Sequence, residues 1–287
     1  MHRRRLLIGA SALVAPLVAP LAAPPARARA LEAWFAPRAR LWERWVAHDP
    51  AATARLDHGT WTRFLQRYRR VGTDGIARLD YAAVTPADRA LLEAWLGGLA
   101  GAPVAQLNRA EQFAYWVNLY NGLTVRTVLG GYPVRSIRDL NFSGALLLRG
   151  PWDAHLVTIA GEAVTLSDIE HRILRPIWRD PRAHYVLNCA SLGCPDMPAE
   201  ALDSASLEPV LDAAAASFIA HERGVAVGPE GLRLSSIYNW FSEDFAVEGG
   251  VVPHLLRHAA PAKAAAIRAA PTIRGYGYDW ALNDARG

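Results

Sequence analysis

The chain has only two cysteines in 287 residues, Cys189 and Cys194. A second cysteine pair is missing, which argues against a closed zinc site of the usual two-pair kind. Lysine is almost absent as well. Lys263 stands alone, so arginine carries nearly all the positive charge and offers the better fork for carboxylates and phosphates. Internal repeats, low-complexity tracts and an interdomain linker are lacking, so nothing suggests a repeat array. A basic excess is also lacking once the first 30 residues are set apart. The formal charge of +4 comes from 31 basic and 27 acidic residues. Arg3, Arg4, Arg5, Arg27 and Arg29 lie in that opening stretch, which has no acid. Without those five, 26 basic residues face 27 acidic ones, a net charge of −1. No electrostatic case for a nucleic-acid partner is left.

What is present begins with a leader. A basic start, an apolar run from Leu6 to about Ala23 and the small-residue site Ala28-Arg29-Ala30 predict a cleaved export signal over residues 1–30. The arginines ahead of Leu6 and Leu7 fit a twin-arginine signal. The rival is an uncleaved anchor. The Ala- and Pro-rich, small-residue end favours cleavage, leaving no membrane span. An exported, periplasmic chain would work where disulfides persist.

Residues 31–78 read as an N-terminal helical segment rich in Trp and Arg, and 79–283 as the main domain. Thr85-Pro86 opens a helix, with Thr as cap. Asn108 caps the next one, and Glu111 stands three residues on. That helix, ending near Gly130-Gly131, is apolar almost all round, so it should be buried. Glu111, Asn118 and Asn121 share an arc of it, with Tyr115 beside them, and buried polar groups need partners. "HLVTIAGEAVTL" and "GVAVGPEGLRLSS" read as hairpins. "SDIEHRILRPI" reads as a helix capped by Ser167 and Glu170, and "RAHYVLNC" as a strand ending at Cys189. Helices follow at "SASLEPVLDAAAASFIAH", "IYNWFSEDF" and "VPHLLRHA", and the aromatic "YGYDWALND" packs back on the body. The mixture predicts an α+β single domain: a buried central helix on a small, mostly antiparallel sheet, with peripheral helices.

The cysteines leave three options. Close spacing in an exported chain allows a Cys189–Cys194 disulfide. His155, His171 and His184 are possible co-ligands for a metal, though no spacing demands it. Cys189 at a strand end also suits a catalytic thiol, which needs a base. His171, on a capped helix just upstream, is the candidate base. Asn118 or Glu111 would orient it, and N–H groups of the Ala190–Gly193 turn would meet an oxyanion.

"QFAYWVNLYNGLTVRTVLGGYPVRSIRDL", "GEAVTLSDIEHRILRP", "DPRAHYVLNCASLGCP", "LSSIYNWFSEDF" and "YDWALN" resemble successive blocks of the bacterial family catalogued as domain of unknown function 547. The resemblance is carried by Trp116, Asn118, Tyr120, Asn121, Glu170, His171, Arg175, Asn188, Cys189, Ser191, Cys194 and Pro195. It implies that His171 and Cys189 belong to recurring blocks, and it supplies no reaction. A looser similarity to papain- and transglutaminase-like enzymes, with a permuted His-then-Cys order, implies acyl transfer. The leading expectation is therefore an exported cysteine hydrolase or acyl-transfer enzyme acting on a peptide or other amide. Cys189, His171, Asn118 and Glu111 would be catalytic. Asn121, Tyr115, Asn188, Ser191 and Arg175 would bind an unidentified small-molecule or peptide ligand. No cofactor is implied. The alternatives are a non-catalytic periplasmic binding domain with a structural disulfide, and a metal-dependent enzyme.

Overall fold

The structure, a computed structural model, describes residues 36–140 and 150–286. The leader lies outside the described residues. The helices are α1 (Gly59–Tyr68), α2 (Pro86–Ala100), α3 (Arg109–Gly131), α4 (Arg175–Trp178), α5 (Leu207–Ala220), α6 (Ile237–Trp240), α7 (Val251–His258) and α8 (Pro261–Ala269). Among the described residues the architecture is α+β with three small sheets. Antiparallel pairs join β1 (Arg69–Val71) to β2 (Ala77–Leu79) and β3 (Val157–Ile159) to β4 (Glu162–Val164). In the third sheet β5 (Val225–Gly228) runs antiparallel to β6 (Gly231–Ser235), and β7 (Ile273–Gly277) joins β6 in parallel.

α3 is the axis of the fold. The Asn108 side chain accepts from the Glu111 N–H at 2.9 Å, as the sequence pattern predicts. Trp116, Leu119, Leu123 and Val125 are fully buried on different sides of the cylinder. Gly122 lets α2 approach, because a Cβ there would meet the Trp95 ring at 2.6 Å. Trp45, Trp61 and Leu65 pack into the same core, so the N-terminal stretch is part of this domain. That stretch is less helical than expected. Among its described residues before α1 it has a single 3-10 turn, Glu43–Trp45, and is anchored by backbone bonds to residues 171 and 172. A second core, including Tyr185, Phe218, Tyr238, Phe245 and Leu255, fills the space around the third sheet.

Two local expectations are corrected. "RAHYVLNC" is not a strand: Pro181–Tyr185 is a 3-10 turn, with Pro181 at its start and the Asp180 carboxylate accepting from the Arg182 N–H. Beyond it the backbone pairs with a side chain rather than a strand. The Asn121 amide donates to Val186 O (2.8 Å) and accepts from Asn188 N (2.9 Å). Likewise Ser167 and Glu170 form no capping box. Thr165 and Asp168 exchange those bonds, and Asp168–Leu174 winds as a π-helix, a form that concentrates at functional sites.

Candidate active site

The cysteine loop is clamped from both sides. From α3, Asn121 holds its entrance. From the other side the segment after β7 lies along it: Leu192 N donates to Ala281 O, Gly193 N to Asp279 O and Asn283 N to Ala190 O. Asn188 ties the loop to itself, donating to Pro195 O (2.8 Å) and accepting from Ala190 N (2.9 Å) and Asn283 Nδ2 (3.1 Å). These bonds consume N–H groups of the Ala190–Gly193 turn that were expected to face an oxyanion. Gly193 is required by the clamp, since a Cβ would come within 2.7 Å of the Asp279 nitrogen. Gly193→Ala should cost about 1–3 kcal/mol, the usual penalty of overpacking. Thermal melting measures it, and an unchanged transition would mean that the clamp does not matter for stability.

Both cysteines are free, so no disulfide closes the loop. They adjoin one another: the Cys189 N–H donates to Cys194 Sγ at 2.9 Å. Tyr278 Oη lies 3.0 Å from Cys189 Sγ and donates to Cys194 Sγ at 3.1 Å. Ser191 Oγ completes the group, 3.2 Å from Cys189 Sγ and 2.9 Å from Tyr278 Oη. Burial raises both thiols, but the donors converging on Cys194 hold its thiol below the ordinary value. Cys189 is pushed well up by burial and by the neighbouring Cys194. The pair therefore holds one proton tightly and gives up the other readily, with the charge on Cys194. Cys189 is the more exposed of the two.

Behind the loop runs a buried chain of charge. Tyr120 Oη donates to Glu170 Oε2 at 3.1 Å. His184 lies between Glu170 Oε1 (3.7 Å) and Asp244 Oδ2 (2.7 Å) and stacks on Phe241. Burial alone would lower the His184 pKa, but the two carboxylates raise it overall. Burial likewise opposes ionisation of Glu170, but His171, His184 and Arg175 hold it at about 2. Arg175, buried, grips Asp244 (2.6 Å) and Glu243 (3.0 Å), donates to Pro37 O (2.7 Å) and donates to His171 Nδ1 (3.1 Å).

That last bond fixes the tautomer of His171. A guanidinium only donates, so Nδ1 accepts and the proton of the neutral ring is on Nε2. Burial, with Arg175 and His184 adding to it, lowers the His171 pKa to about 4. Neutral His171 is thus an N–H donor at Nε2 rather than the base expected. The unfolded chain, with an ordinary histidine near 6.5, binds a proton between about pH 6.5 and 4 that the folded ring refuses, so stability falls as pH falls through that window. His184 has the opposite sign: its contribution is full below about 6.5 and is lost as pH rises through its raised value. Urea titrations at several pH values should show His171→Gln flattening the acid-side slope by about 1.4 kcal/mol per pH unit. An unchanged slope would contradict the assignment.

A cavity of about 920 Å³ brings these groups together. Its lining includes Cys189, Cys194, His171, Glu170, His184 and Tyr120, four arginines (38, 40, 138 and 172), and the rings of Trp152, Trp240 and Trp280. Cys189 and His171 share this cavity, yet no hydrogen bond joins them. The expected orienters are elsewhere. Asn118 bonds both backbone groups of Leu202 (2.9 Å each), and Glu111 accepts from Leu56 N (2.8 Å) and Ser204 Oγ (2.6 Å). Tyr115 donates to Leu99 O, joining α3 to α2. These three tie the fold together, whereas Asn121, Asn188, Ser191 and Arg175 shape the site. Among the described residues neither cysteine belongs to a three-ligand metal cluster. Tyr278 and Asp244 escape sequence reasoning, because no spacing marks them. His184 is weighed there as a possible metal ligand and, as a base for Cys189, ranks behind His171.

Residues 104–219 match the family model described as "Protein of unknown function, DUF547". The matched region contains both cysteines, Glu170, His171, Arg175 and His184. It stops short of Asp244 and Tyr278 and is shorter than the span over which sequence blocks resemble the family. No curated protein and no solved structure matches the chain. The loose likeness to papain-like enzymes gains no support from those comparisons, and Cys189 lies in a loop rather than at the start of α3.

Proposed function

We propose that the protein is a cysteine-dependent hydrolase or acyl-transfer enzyme acting on a peptide or other amide in the 920 Å³ cavity. One observation carries this: Cys189, the more exposed of two adjoining thiols, shares that cavity with a buried histidine–carboxylate cluster. Cys189 Sγ attacks the carbonyl carbon and its proton passes to the Cys194 thiolate. The C–N bond breaks, the departing amine takes the proton, and a thioester remains on Cys189. Water or an acceptor amine then releases the acyl group. His171 contributes Nε2–H to the developing oxyanion, and the charged cluster behind it holds that tautomer. Lining arginines suit a substrate with an anionic group. The reading includes export, which the basic, apolar and small-residue pattern of residues 1–30 supports. Hydrolysis of a panel of small aryl esters and amino-acid amides tests it. His171→Gln should lower turnover by about 10²–10³-fold, as for loss of an oxyanion donor. Equal rates in both proteins would overturn the role.

A second reading is favoured by the contact between the Cys189 N–H and Cys194 Sγ, which sets the two thiols side by side. In a non-catalytic binding domain the pair would close into a structural bridge on export. Thiol counting on the native protein separates the two. Two free thiols support the enzyme, and none supports the bridge.

A further inference from the structure

A second cluster of chemistry lies away from the cysteines, on α7. The turn Asp244–Glu248 ends in Gly249 and Gly250, both at positive φ (87° and 108°), which reverses the chain and returns Glu248 against the helix it has just entered. Only glycine takes such angles freely. His254 and His258 are one helical turn apart, so both rings leave the same face. Glu248 Oε2 is 2.9 Å from His254 Nδ1 and 3.6 Å from His258 Nε2, and the ligand atoms of all three residues lie within 4.8 Å of one another.

The remaining nitrogens matter as much. His254 Nε2 is 2.7 Å from Tyr185 Oη, which itself donates to Tyr238 Oη. His254 thus stands between the Tyr185 hydroxyl and the Glu248 carboxylate, and either ring nitrogen can carry its proton. His258 Nδ1 is 3.8 Å from Asp212 Oδ1. Its Nε2 is buried without a hydrogen-bond partner, on a side chain only 10% exposed. Such an orphan is expensive unless a ligand meets it. With its proton on Nε2 toward the Tyr185 oxygen, His254 turns the Nδ1 lone pair to the point that Glu248 Oε2 and His258 Nε2 also face, the arrangement that orients an imidazole ligand on a metal.

We propose that Glu248, His254 and His258 form a site for a divalent ion of the zinc class. Two imidazoles and one carboxylate suit a borderline first-row ion and not calcium or magnesium, which prefer all-oxygen shells. With bonds of about 2.0–2.1 Å, tetrahedral zinc holds its ligand atoms roughly 3.3 Å apart, between the two separations above. Three protein ligands leave a fourth position open, and Glu248 and His258 line a separate cavity of about 720 Å³ into which it would face. Arg257 Nε lies 3.3 Å from the same Glu248 oxygen. Its side chain is 64% exposed, so it can swing away when a cation arrives.

The test uses the full chain, stripped with a chelator and then titrated with Zn²⁺ or Co²⁺. One equivalent of Zn²⁺ should bind and raise the melting temperature. The Co²⁺ form should show d–d bands without a thiolate charge-transfer band. A Cys189→Ser/Cys194→Ser double variant should bind equally well, and His258→Ala should weaken binding at least 10-fold. If His258→Ala fails to fold, Glu248→Gln takes its place with the same expected loss. No binding, binding lost with the cysteines, or binding indifferent to His258 and Glu248 would each overturn the site.

Discussion

Arg175→Met will destabilise the protein by roughly 3–5 kcal/mol, the cost of removing one partner from a buried ion pair. The guanidinium is 1% exposed and is the shared partner of Asp244, Glu243, Pro37 O and His171 Nδ1. It also lies 4.6 Å from the Phe241 ring. Removing it leaves the Asp244 carboxylate with His184 alone and takes away one of the bonds that tie the π-helical turn to the chain ahead of α1. Arg175→Lys should recover only part of the loss, because an ammonium cannot grip Asp244 through two nitrogens. Urea denaturation measures both. A loss below about 1 kcal/mol for Met would mean that the charge network is not a structural unit. The variant also frees His171 to move its proton to Nδ1, so turnover should fall more than the remaining folded fraction explains.

The second large effect concerns the thiols. Far-ultraviolet thiolate absorbance of the reduced protein should rise in two steps. The first lies below the ordinary thiol value of about 8.5 and the second well above it, because one sulfur gathers the donors and the other pays in repulsion. Cys194→Ser should remove the low step. Cys189→Ala should move the low step upward, because the Cys189 thiol is foremost among the donors to Cys194, and should abolish turnover, since the ionised sulfur is not the one that attacks. A single step near 8.5 for two independent thiols would rule out proton sharing.

The sequence makes the scaffold of this site legible and leaves its chemistry largely hidden. Asn108 with Glu111, and Thr85 with Pro86, mark helix starts because caps are local bonds. The all-round apolar pattern of α3 marks burial because it reflects only what surrounds the helix. The two hairpins follow from alternation about their glycines. The cysteine loop fails as a strand for a reason outside its own residues: Asn121, on α3, supplies the bonds a neighbouring strand would have supplied. Glu170 has the spacing of a cap, but its carboxylate is taken by Tyr120 and His184, and Thr165 does the capping. His171 and Arg175 are four apart, so their contact is foreseeable. That Arg175 sets the tautomer follows only from Asp244 and Glu243, nearly seventy residues on, which hold the guanidinium in place. Tyr278, more than eighty residues from either cysteine, reaches them only through the C-terminal clamp.

The most direct measurement is the mass of the protein during the proposed reaction. Protein mixed with p-nitrophenyl acetate is quenched in acid within the first turnovers, and its intact mass and peptide map are recorded. The account predicts one added acetyl group, on Cys189, that disappears in Cys189→Ala and accumulates when water is the only acceptor. Acetylation confined to other residues, or ester hydrolysis that continues undiminished in Cys189→Ala, would contradict it.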